Sequence, residues 1–106
     1  MPKYLIRGSY SNQGLKGLLE EGGTKRREAA EQSIKSLGGR LDAFYYAFGD
    51  DDFVIIADLP NNVDASALSL TANASGTVKS RITVLIAPEE VNEATRKTVN
   101  FRPPGK

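Results

Sequence analysis

The sequence predicts one α+β domain in the order β-α-β-β-α-β, closed by a C-terminal helix, with its four strands in one antiparallel sheet. Three observations lead there. Apolar and polar residues alternate over Lys3–Tyr10 and again over Thr77–Ala87, the period of a strand. Two intervening segments space their apolar residues by three and four and end at glycine, the habit of a helix. The stretch from Arg40 to Pro60, RLDAFYYAFGDDDFVIIADLP, reads as two strands around a tight acidic turn. Both strands are apolar on both faces, whereas a hairpin with one wet face alternates.

The elements follow in order. Lys3–Tyr10 is the first strand, and Ser11 or Asn12 suits a helix N-cap. Leu15, Leu18 and Leu19 then mark a helical face, which Gly22-Gly23 interrupts at a cost of about 2 kcal/mol relative to alanine. Thr24 can cap a renewed helix to Leu37 with Ala30, Ile34 and Leu37 inward, and Gly38-Gly39 supplies the left-handed residue that ends it. Arg40–Phe48 and Phe53–Leu59 are strands two and three. Pro60-Asn61-Asn62 marks a turn and a cap. The next helix, Val63–Ala74, offers Val63, Ala67, Leu70 and Ala74 as an apolar stripe, with Leu68 and Ala72 nearby. Gly76 breaks it, and strand four runs over Thr77–Ala87. Pro88 opens a short helix to about Lys97, and the basic tail to Lys106 is expected to be extended and mobile. This order is the ferredoxin-like pattern, with helices covering one sheet face. The whole of 1–106 is expected to be one such domain, with 88–106 an appendage to it.

With Phe48 set opposite Phe53, Tyr46 faces Ile55 and Phe44 faces Ala57. These join Tyr4, Ile6, Ile82 and Val84 as the helix-covered core. The other face carries Leu5, Arg7, Ser9, Leu41, Tyr45, Val54, Ile56, Asp58, Arg81, Thr83 and Leu85. It is too apolar to stay open to water, yet its charged members are costly to bury unpaired. Dimerisation through this helix-free face, enclosing a polar pocket, reconciles the two.

Composition narrows the chemistry. The 106 residues suit a single domain. There is no cysteine and no histidine, which removes thiolate chemistry, a serine triad of the usual kind and the commonest metal and haem ligand. A net charge of +1 gives no electrostatic case for nucleic acid. The N-terminal apolar run is too short for a signal sequence, and no segment approaches a membrane span of about 20 apolar residues. The expectation is a cytoplasmic protein without cofactor, metal, nucleic-acid or membrane partner.

Residues 45–61, YYAFGDDDFVIIADLPN, resemble the signature of GYD-domain proteins: an aromatic pair, Gly-x-Tyr-Asp, a branched run, an acid, then proline and an acid. Gly49, Asp52, Asp58 and Pro60 fall at matching spacing. Tyr10–Gly14, the Lys25-Arg26-Arg27 helix ending in Leu37-Gly38-Gly39, and Gly76-Thr77-Val78 also match. Asp51 stands where the motif has tyrosine, Asp58 where it has glutamate, and Asn61 where it has an acid. The resemblance spans about residues 3–87. It implies the dimeric α+β-barrel superfamily, in which two ferredoxin-like sheets pack face to face, and carries no particular activity with it.

Among candidate sites, Arg7, Arg81 and Asp58 share the helix-free face with Tyr45. They read either as a pocket for a small acidic or carbonyl ligand, with Asp58 orienting the arginines, or as an ion network stitching a dimer. Asp50-Asp51-Asp52 offers oxygen ligands for a hard cation. Strand alternation parts them, and a turn is the expected role, with Asp52 making a turn or edge hydrogen bond. Lys25-Arg26-Arg27 opposes its helix dipole; it reads as an anion attractor or as a solvated face paired with Glu21 and Glu28. Three functions fit: a small-molecule-binding or sensing dimer, a cofactor-free oxygenase or isomerase using Arg7, Asp58 and Tyr45 for proton handling, or a structural assembly protein.

Overall fold

The structure, a computed structural model, describes residues 1–106. It contains β1 (Lys3–Tyr10), α1 (Asn12–Glu21), α2 (Gly23–Ser36), β2 (Arg40–Tyr46), β3 (Phe53–Asp58), α3 (Asn62–Ala74), β4 (Val78–Leu85) and α4 (Pro88–Thr95). Local chemistry accounts for the boundaries. The Ser11 hydroxyl accepts from Gly14 N at 3.2 Å to cap α1, and the Asn61 side chain accepts from Asp64 N to cap α3. The helix pair breaks at the expected glycines, but Gly22 rather than Thr24 caps α2, because its φ of 86° already turns the chain there. At the end of α2, Gly38 N donates to Lys35 O and Gly39 N to Ile34 O, with Gly38 at φ 81°. That is the paired closure of a Schellman motif.

The strands form one antiparallel sheet in the order β2-β3-β1-β4, the ferredoxin-like arrangement. Tyr4 sits between Ala57 and Val84, and Ile6 between Ile55 and Ile82. Tyr4, Ile6, Phe53, Ile55, Ala57 and Leu59 join Ile34 of α2 and Ala65 of α3 in the buried core. No helix is long and apolar enough to cross a membrane.

Two details of the hairpin depart from the sequence reading. β2 stops at Tyr46, so Tyr46 pairs with Phe53 and Phe44 with Ile55. The turn is wider than expected: Ala47 N donates to Asp52 O and Gly49 N to Asp51 O. Phe48 takes a left-handed φ of 53°, and its ring stacks on Tyr46 at 5.8 Å. A shift of two residues leaves each side chain on its assigned face. The second departure does change a face. A bulge at Asp42 pairs Leu41 with Ala57 but Ala43 with Ile56. An extra residue reverses the alternation beyond it, so Leu41 turns from the helix-free side to pack against the core.

The helix α3 also differs. Val63 and Leu70 are 77% and 72% exposed, and Ala67 and Ala74 are exposed with them. The inward face is Ala65, Leu68, Ser69 and Ala72. Both stripes have helical spacing. The choice falls to the one containing Ala65, which is 3% exposed against the core. Every residue from Ile86 to Lys106 is exposed. The radius of gyration is 16.9 Å and the longest axis 56 Å, against about 13 Å of radius for a compact chain this long.

Candidate functional site

A cavity of about 320 Å³ lies between the helices and the sheet. Its floor is Ile6, Phe44, Phe53, Ile55 and Ile82; its walls are Ala29, Ala30 and Ser33 of α2 and Leu68, Ser69 and Ala72 of α3. The sequence builds this hollow directly. The helix α2 packs over β2 and α3 over β4, and both turn mainly alanine and serine toward the space between them. The larger Val63 and Leu70 of α3 face outward. Ligand pockets begin at roughly 300 Å³, so the volume suits a small molecule.

One end of the cavity is polar. Tyr10, Arg26 and Thr77 line it and also border a neighbouring cleft that contains Lys16, Glu20 and Glu21 of α1. Arg26 is the one formally charged residue in the lining. Its Nη1 lies 3.6 Å from Glu21 Oε2. Tyr10 rests against Phe53, with ring centroids 5.3 Å apart. Burial, helped by the adjacent Tyr46, pushes the Tyr10 phenol up to about 12. The buried phenolate is disfavoured, so the fold stabilises the neutral form; that contribution is intact below the ordinary value of 10 and is lost as pH rises toward 12. In a spectrophotometric titration, one of the four tyrosines should therefore ionise last, and Tyr10→Phe should remove that step.

The four candidates read from the sequence stand outside this cavity. Arg7 and Arg81 are cross-strand neighbours on the helix-free face. They share Asp51: Arg81 Nη2 donates to its Oδ1 at 3.0 Å, and Arg7 Nε lies 4.0 Å from its Oδ2. Asp58 is not with them. It pairs with Lys3 of β1, four residues before Arg7, a separation of about 13 Å along a strand. There Asp58 accepts from Lys3 Nζ at 2.9 Å and from Arg40 Nη2 at 3.1 Å, and Lys3 also donates to Asp42. These contacts raise the Lys3 ammonium and, chiefly through Lys3, hold the Asp42 carboxyl below its ordinary value. Asp51, set in the turn, therefore takes the orienting part expected of Asp58. Tyr45 is 70% exposed and pairs with Val54, which lies beside Arg7.

The turn residues have separate structural duties. Asp52 N donates to Gly8 O at 2.8 Å, and its carboxylate accepts from Tyr10 N at 2.9 Å. It thereby pins the hairpin to the end of β1. Gly49 is exposed in the loop, and Pro60 leads into the Asn61 cap. With Asp51 on the arginines and Asp58 on Lys3 and Arg40, the acidic residues have different partners and make no group of three that could hold a metal. The basic run parts as well: Arg26 reaches the cavity end while Lys25 and Arg27 stay exposed.

The fold and cavity define a ferredoxin-like α+β domain with a hollow beneath its helices. The GYD domain model matches residues 4–95, and the chain belongs to the GYD-domain family. No curated protein matches its sequence.

Proposed function

We propose that this GYD-domain protein binds or senses a small molecule as a homodimer, with the ligand in the cavity beneath the helices. The cavity itself carries the reading: about 320 Å³, with an apolar floor, walls of small alanine and serine residues beside Leu68, and Arg26 in the lining. Its chemistry favours binding over turnover. The titratable lining groups are Tyr10 and Arg26, and a phenol pushed up to about 12 stays protonated at neutral pH. No lining carboxylate or lysine stands ready as a general base.

The dimer is assigned to the helix-free face. There Leu5, Val54, Ile56 and Leu85 are half-buried within one chain, flanked by the Arg7–Arg81–Asp51 and Lys3–Arg40–Asp42–Asp58 clusters. In this arrangement Arg7, Tyr45, Asp58 and Arg81 serve the subunit interface and fix its register, as charged clusters around an apolar centre do. The helix-side cavity remains open in each subunit.

Titration of the wild-type protein with indole, a neutral probe of suitable size, tests the ligand site. The amide and methyl NMR signals of Ala29, Ala30, Leu68 and Ala72 should shift in a saturable way. Filling the space with Ala30→Leu or Ala72→Phe should abolish the shifts. Silence of the wild type at millimolar indole would remove the ligand-binding reading. Sedimentation equilibrium tests the assembly separately, and a stable monomer at micromolar concentration would remove the dimer.

A further inference from the structure

Granting that the cavity is a binding site, the geometry points to the class of its ligand: a small monocarboxylate, with an apolar body on the sheet floor and its carboxylate on Arg26. Arg26 is the one charged residue in the lining, and it stands at the end shared with the polar cleft. A cationic ligand would meet it as a like charge. The apolar floor of Phe44, Phe53 and Ile55 suits a ring or short alkyl chain, and a volume near the lower limit for pockets restricts that body to about one ring.

The guanidinium can accept such a partner. Its contact with Glu21 is 3.6 Å, from Nη1 to Oε2, longer than the roughly 2.7–2.9 Å of a charge-assisted hydrogen bond. Arg26 and Glu21 side chains are 35% and 45% exposed, so the pair is weakly held. Arginine has five N–H donors arranged for bidentate grip of a carboxylate. A ligand carboxylate would displace Glu21, which ends α1 beside the Gly22 turn. The neutral Tyr10 phenol lines the same end and adds no like charge to repel a carboxylate.

Two probes of nearly equal shape test the inference: 3-phenylpropanoate and 3-phenylpropanamide, titrated into the full chain at fixed ionic strength and followed by NMR. The acid is expected to bind about tenfold or more tighter than the amide, as a hydrogen-bonded charge pair allows. Arg26→Gln should close that gap by weakening the acid far more than the amide, and Glu21→Gln, by removing the competing carboxylate, should widen it. Arg26→Lys should keep part of the gap. Equal affinity for acid and amide in the wild type overturns the carboxylate assignment and leaves the indole-binding cavity standing. A gap that survives Arg26→Gln overturns the role of Arg26. If indole binds and neither phenyl probe does, the ligand class is wrong. If all three fail, the cavity reading falls with it.

Discussion

Replacing Gly39 with valine is expected to destabilise the domain by about 3 kcal/mol or more, at the upper end of overpacking costs. A Cβ at this position would collide with the backbone oxygen of Asp58 and lie 2.8 Å from Leu59 Cδ2 and 3.0 Å from Ile34 Cγ2. The carbonyl cannot move without disturbing the strand that carries Asp58, and Leu59 and Ile34 are among the most deeply buried side chains in the chain. Gly39 also donates to Ile34 O in the closure of α2, so displacing it disturbs the helix end as well. Its neighbour provides the control. Gly38 has the left-handed φ of 81°, but a Cβ there would meet only Pro60 Cγ, at 3.6 Å. Gly38→Ala should therefore cost about 1–2 kcal/mol, the conformational penalty alone. Urea denaturation of the two variants separates close approach from backbone conformation. Comparable losses would show that Gly39 is not the tighter site.

The same glycine pair shows what could be read from the sequence. Gly38-Gly39 announced the end of α2 because a helix terminus is a local event, governed by a few adjacent residues. β1, the break between α1 and α2, and the Asn61 cap were legible for the same reason. The core face of the hairpin was legible because alternation survives a slip of two residues. What escaped depended on distant partners. The bulge at Asp42 turned Leu41 over, and nothing in RLDAF marks an inserted residue. On α3 two stripes of helical spacing competed, and only the packing of Ala65 against the core decided between them. That decision creates the cavity, because it points Val63 and Leu70 outward and leaves Leu68 as the one large residue among alanine and serine facing the sheet. A signal was present: Ala29, Ala30 and Ser33 on one helix and Ser69 and Ala72 on the other are small residues where a filled core needs large ones. The arginine pair was correctly placed on one face, but its partner was misjudged. A turn residue's direction does not follow strand alternation, so Asp51 could reach Arg7 and Arg81 while Asp58 faced Lys3 and Arg40.

Tyr4→Ala is expected to cost about 3–5 kcal/mol, as aromatic truncation in a core does, against a total stability of about 5–15 kcal/mol for a small domain. Tyr4 is 1% exposed, on a central strand between Ala57 and Val84, with Ala65 and Leu59 in the same cluster. The residues around it are held by sheet pairing and cannot collapse into the space, so most of the hole would persist. Its hydroxyl adds a separable part, donating to Asn62 Oδ1 at 2.6 Å and tying the sheet to the first residue of α3. Tyr4→Phe removes that bond alone. Asn62 is exposed and can turn to water, so the loss should be about 1 kcal/mol. Tyr4 does not line the cavity, and the phenylalanine variant should bind indole as the wild type does. Weakened indole binding in Tyr4→Phe would mean that the position of α3, and with it the cavity wall of Leu68 and Ala72, is set by this one hydrogen bond rather than by the packing of Ala65. Unchanged binding with a stability loss near that of the hydroxyl alone is the result the buried contacts of α3 require.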